Sequence, residues 1–163
     1  MLLSPLRRVE RMDMLMALAL SIGILIAAWV KLGPMANLAV PAGIIAWGCF
    51  FAAGGKMQGL QKTVAATISG VFWVWLAMTL VGMMDMGNVA FIIIGIVAFI
   101  LVMQSKVATL SFIPGAFCGA AVTAWASPSD ARGYLMVALA LLVGAVLGYV
   151  SEWAGGMMAK KRA

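Results

Sequence analysis

Between Met14 and Trp153 the chain passes through six apolar stretches, and none carries a charged residue near its middle. A charge-free apolar run of about 20 residues matches the roughly 30 Å of hydrocarbon in a bilayer. Inside lipid every backbone N–H and C=O must find its partner within the protein, which leaves helices and closed barrels. The runs are too long and too evenly apolar for the in–out alternation of barrel strands. The expected fold is therefore an all-α polytopic membrane protein with six transmembrane helices. Composition agrees, with 65% hydrophobic and 10% charged residues, against about a quarter charged in soluble domains.

The spans are placed at about 14–30, 35–53, 63–83, 89–103, 107–126 and 133–153, in a single transmembrane domain over residues 13–154. A basic segment, residues 1–12, precedes it and a basic tail, residues 155–163, follows. The first run follows Arg7, Arg8 and Arg11 as a signal peptide would, but it reaches Trp29-Val30-Lys31 without a small-residue cleavage site and is kept as a span. With six spans, one side collects Arg7, Arg8, Arg11, Lys56, Lys62, Lys106, Lys160, Lys161 and Arg162, and the other only Lys31 and Arg132. Lysine and arginine stay cytoplasmic, so both termini are expected in the cytoplasm. The net charge of +6 thus has a topological explanation, and no nucleic-acid partner is expected.

The two halves echo one another. Leu38-Ala39-Val40-Pro41-Ala42-Gly43 recurs as Ser111-Phe112-Ile113-Pro114-Gly115-Ala116, 73 residues later and early in the second span of its half. Three spans per half would invert the second half relative to the first, giving two inverted three-helix repeats. Proline within a helix clashes with the carbonyl four residues back, so kinks are expected that free the carbonyls of Asn37 and Leu110. Paired Gly/Pro-interrupted segments point to a transport site between inverted repeats; a packing bend is the plainer explanation. The expected path residues are Pro41, Gly43, Trp47, Phe50 and Phe51 from one half and Ser111, Phe112, Pro114, Gly115 and Phe117 from the other. Their aromatic rings, with Trp73, would form an apolar constriction that passes small neutral molecules and rejects hydrated ions. Trp29, Trp125 and Trp153, at span ends, read as interface anchors.

Gly115 with Gly119, and Gly144 with Gly148, have the GxxxG spacing that lets two helices approach closely. They would join helices within one chain or between chains, and a homo-oligomer is expected for so small a membrane protein. The hydroxyls of Ser21, Thr67, Ser69, Thr79, Ser111 and Thr123 are expected mostly to bond their own helices.

Several chemistries are missing. Histidine is absent, no carboxylate pair or nucleophile system is present, and no nucleotide motif occurs. The chain is not expected to be an enzyme or to need a cofactor. Intramembrane ionisable residues mark proton relays and ion-coupled carriers; without them a proton-driven pump is not expected. Cys49 and Cys118 lie in apolar segments and read as small buried hydrophobes, not as a disulfide framework. Met83, Met84 and Met86 cluster in an outer loop, where thioethers could collect Cu(I), but nothing at the inner end would receive it.

Pro41 to Gly55 (PAGIIAWGCFFAAGG) and Leu110 to Gly119 (LSFIPGAFCG), together with the six-span layout, resemble the YcdZ-like family of small bacterial inner-membrane proteins. The resemblance runs from about Leu15 to Trp153 and implies the architecture and a bacterial inner-membrane location. It implies no activity and assigns no functional residues. The functional expectation is a passive channel or facilitator for a small uncharged or weakly polar solute. The alternatives are a non-transporting membrane scaffold or anchor and, third, Cu(I) transport through methionine and cysteine side chains.

Overall fold

The computed structural model describes residues 13–83 and 90–160. Among them the regular structure is helical: α1 Met14–Met35, α2 Val40–Ala52, α3 Lys56–Met83, α4 Ala90–Met103, α5 Ile113–Ala126 and α6 Ala131–Lys160. Two 3-10 turns, Gln104–Lys106 and Ala108–Leu110, lead from α4 to α5. The long helices α1, α3 and α6 have the length and apolarity to cross a membrane. Helices α2, α4 and α5 have 13, 14 and 14 residues, which at 1.5 Å per residue is about 20 Å each.

Helix ends fall where left-handed backbone is available. Asn37 closes α1 with φ 56°, and the Leu38 N–H reaches back to the Gly33 carbonyl at 2.9 Å, the six-to-one bond of a Schellman motif. Met35 therefore ends α1 and does not begin the second span. Gly54 and Gly55, at φ 98° and 66°, close α2, with the Gly55 N–H on the Phe50 carbonyl at 3.1 Å. The Lys56 N–H then donates to Glu152 Oε2 at 2.6 Å, a carboxylate at the positive end of α3. With that cap and good helix formers after it, the stretch Lys56–Lys62, which lies between the spans expected at 35–53 and 63–83, is the start of α3.

Close glycine contacts set the packing. Helix α2 lies on α6 and runs parallel to it: Gly43 meets Gly144, and Phe50 meets Gly148. Helix α5 lies on α3, also parallel: Gly115 meets Ala66 and Gly119 meets Thr67. Helix α1 is antiparallel to α6, with Leu18 beside Gly155 and Ser21 bonded to Ser151. Helix α3 is antiparallel to α6 too: Lys56 at its start is tied to Glu152, and Trp75 farther along shares a groove with Ala131. Thus α1, α3 and α5 run one way, and α2 and α6 the other. Small side chains fill the centre, with Ala42, Ala46, Val71, Val122, Ala140 and Ala145 in one buried cluster. The outer faces are apolar, and α4 exposes Phe91, Ile94, Ile96 and Phe99.

Candidate functional site

Proline starts two of the three short helices, α2 and α5, and does not bend them. Pro41 and Pro114 lie in the first turns of α2 and α5, where a helix needs no N–H and φ near −65° is already suitable. The expected kinks, with freed carbonyls at Asn37 and Leu110, are replaced by breaks: the chain ahead of each proline is not α-helical. The spans expected at 35–53 and 107–126 are correspondingly shorter helices.

Both short helices begin deep against their partners. Gly144 lies thirteen residues into α6 and meets Gly43, three residues past the start of α2. Gly70 lies fourteen residues into α3 and meets Ala116, three residues past the start of α5. At 1.5 Å per residue each short helix starts about 15 Å below the start of its long partner. Because α3 and α6 are antiparallel, the two offsets lie toward opposite ends of the bundle. Asn37 and Ser111, just ahead of the prolines, are exposed.

Between α2 and α5 is a cavity of about 420 Å³ lined by Pro41, Ile45, Cys118, Ala121, Val122 and Trp125. The first turn of α2 thus faces the last turn of α5, so these helices cross antiparallel. Near the far end of α2, the buried Cys49 stands beside Cys118. Both thiols are free.

The expected path residues separate into three groups. Pro41 lines the cavity, and Pro114 and Ser111 are exposed at the start of α5. Gly43, Trp47 and Phe50 are buried against α6. Gly43 also lies beneath the Trp29 ring, and Phe50 makes edge contacts with Phe51 and Tyr149 at centroid distances of 5.1 and 6.4 Å. Phe112 covers Gly115, while Phe117 is 41% exposed on another face of α5. These rings do not converge on a single constriction. Both GxxxG pairs join helices of this same chain, Gly115 and Gly119 against α3 and Gly144 and Gly148 against α2.

Polar side chains serve the helices. Thr67, Thr79 and Thr123 donate to the carbonyls of Thr63, Trp75 and Gly119, four residues back in each case. Ser111 bonds the Ala108 carbonyl. Two networks reach between helices. Trp47 Nε1 donates to Ser151 Oγ at 3.1 Å, Ser151 donates to the Gly148 carbonyl at 2.7 Å, and Ser21 Oγ donates to the Ser151 carbonyl at 2.8 Å. Trp73 Nε1 donates to Gln104 Oε1 at 3.1 Å, and Gln104 Nε2 donates to Ser69 Oγ at 2.8 Å. Ser151 and Gln104 have no motif around them, and only the fold gives them partners. Trp29, expected as an interface anchor, is 5% exposed and donates to the Val40 carbonyl; Trp125 and Trp153 are exposed near helix ends. Met83 is exposed, while Met84 and Met86 lie outside the described residues, as does the basic segment 1–12. No cluster of three or more histidine, cysteine or acidic residues occurs among the described residues.

A bundle of long apolar helices, apolar outside and closed inside by glycine contacts and hydroxyl bonds, defines the class: an integral membrane protein of helical type. The chain belongs to the family described as protein of unknown function DUF1097, which matches residues 19–156. It is similar to inner membrane protein YcdZ of Escherichia coli strain K12, 31% identical over 93% of this chain and 92% of the relative. It is also similar to YcdZ of Salmonella typhimurium, 30% identical over 93% of each chain. The uncharacterized protein YahC of Escherichia coli is 30% identical over 88% of this chain and 92% of its own. No solved structure matches.

Proposed function

We propose that this protein is a passive facilitator for a small uncharged or weakly polar solute. In this reading it crosses the inner membrane six times as two inverted three-helix repeats, with both ends in the cytoplasm. The observation that carries it is the pair of proline-led helices recessed from opposite ends of the bundle. Non-helical backbone at membrane depth is tolerated only when buried in protein or lining a watered cavity, and broken helices of paired repeats are where transport sites lie.

Helix direction supports the six crossings. With α1, α3 and α5 parallel and α2 and α6 opposed to them, consecutive crossings alternate if α4 returns the chain between α3 and α5. The same alternation puts Lys56, Lys62 and Lys106 on one side and Lys31 and Arg132 on the other, as the positive-inside rule requires. The repeat is supported by matched partners: each short helix lies parallel on the long helix of the other half. The cavity from Pro41 to Cys118 is lined by apolar side chains, which favours neutral solutes over hydrated ions.

A non-transporting scaffold is the second reading, favoured by the burial of Trp47 and Phe50 at the α2–α6 seam. Stopped-flow shrinkage of proteoliposomes separates the two, using urea, glycerol, small amides, ammonia and water against empty liposomes. Permeability above the empty control for one solute, reduced by a bulky replacement of Ile45, supports the facilitator. Rates equal to the control for the whole panel, with folded protein, leave the scaffold.

A further inference from the structure

The α1–α2–α6 and α4–α5–α3 units match at their glycine contacts and differ one turn farther on. Where α2 lies on α6, a Cβ at Gly144 would run into the Gly43 carbonyl; where α5 lies on α3, a Cβ at Gly70 would run into the Ala116 carbonyl. Gly43 thus corresponds to Ala116, and Gly144 to Gly70. One turn along the short helices, Trp47 corresponds to Ala120. Two turns along the long helices, Ser151 corresponds to Ala77. By the 73-residue offset of the sequence echo, Ser21 of α1 corresponds to Ile94 of α4.

At the α1–α2–α6 junction these three residues form one bonded unit: the Trp47 indole, 3% exposed, donates to Ser151. Ser21 secures Ser151 from α1. The corresponding α3–α4–α5 junction holds an open-sided cavity of about 230 Å³, and Ala120, Ala77 and Ile94 all line it. Its floor is Val74, Ala77, Leu101 and Ala120, each at most 9% exposed, and its rim includes Ile94 and Phe117. Every lining side chain is apolar. The corresponding space at the α3–α4–α5 junction is open, with alanine where Ser151 accepts the indole N–H and isoleucine where Ser21 bonds the Ser151 carbonyl.

We propose that the α3–α4–α5 junction is a binding site for one apolar aromatic molecule of about bicyclic size. A cavity of about 150 Å³ with aliphatic and aromatic walls stays dry and takes up benzene, so a somewhat larger one has room for two fused rings. The equivalent space at the α1–α2–α6 junction holds the flat bicyclic ring of Trp47. The missing serines mean that the ligand needs no hydrogen-bond donor. The exposed rim faces the apolar outer surface, so entry is from the bilayer. The site draws on the correspondence between halves and not on transport: an impermeable protein would bind the ligand equally well.

The test is equilibrium binding of radiolabelled naphthalene to the full-length protein in phosphatidylcholine nanodiscs, with empty nanodiscs subtracted. Saturable binding of one naphthalene per chain is expected, weakened at least tenfold in Ala120→Trp. Ala120→Phe fills the same space with a smaller ring and gives the same direction if the tryptophan variant does not fold. Uptake no greater than in empty nanodiscs overturns the proposal. So does binding untouched by either replacement, which would put the ligand elsewhere. Binding in detergent that disappears in nanodiscs also overturns it, because an acyl chain would then be the occupant.

Discussion

Gly144 of α6 lies so close to the backbone of Gly43 in α2 that a Cβ at position 144 would run into the Gly43 carbonyl oxygen. Gly119 of α5 stands in the same relation to Thr67 of α3. Helices α2 and α5 are each held to a long partner through a contact that only glycine permits. Gly144→Leu and Gly119→Leu are therefore expected to destabilise the fold by about 1–3 kcal/mol, the usual cost of overpacking. Gly156→Ala, with nothing within 4 Å of its added Cβ, should be neutral or mildly stabilising, since alanine favours helix by about 1 kcal/mol. Unfolding midpoints in mixed detergent measure all three.

The Trp47–Ser151 bond ties α2 to α6. Trp47→Phe keeps a ring in place and removes the donor; Ser151→Ala removes the acceptor. Interhelical bonds in membranes contribute about 0.6 kcal/mol on average and up to about 1.7, and each variant should lose an amount in that range. The double variant should lose less than the sum, because both replacements break the same bond. Strict additivity in a double-mutant cycle would show that the bond contributes nothing.

Cys49 and Cys118 come from different halves and stand side by side at the α2–α5 crossing. A mild membrane-permeant oxidant should remove both free thiols together and leave a monomer two mass units lighter. Cys118→Ser should abolish this within the chain. Two thiols that remain fully alkylable after oxidation would mean that α2 and α5 do not meet as described.

The class of fold was legible because it depends on one averaged property, the charge-free apolar run, which survives any detail of packing. Helix ends were less legible. Pro41 and Pro114 allow a kink within a helix or a start to one, and only the deep docking of α2 on α6 and α5 on α3 selects the start. Trp29 sits at a span end by sequence, yet the fold turns its ring over Gly43. Ser151 is a single hydroxyl at the end of an apolar run, beside Glu152, and its meaning comes from Trp47, 104 residues away. The cavity beside Ala120 leaves no local mark, since an alanine in an apolar helix looks the same whether space lies beside it or not.

In the proposed facilitator the starts of α2 and α5 are reached by water from opposite faces of the membrane, which thiol accessibility measures. Asn37→Cys and Ser111→Cys would be made separately in a chain with Cys49 and Cys118 replaced by serine. Each would be treated with a membrane-impermeant maleimide, in intact cells with a permeable outer membrane and in inverted inner-membrane vesicles. Labelling of position 37 only in cells and of position 111 only in inverted vesicles is the predicted result. Labelling of both from one side, or protection of both from either side, would contradict it.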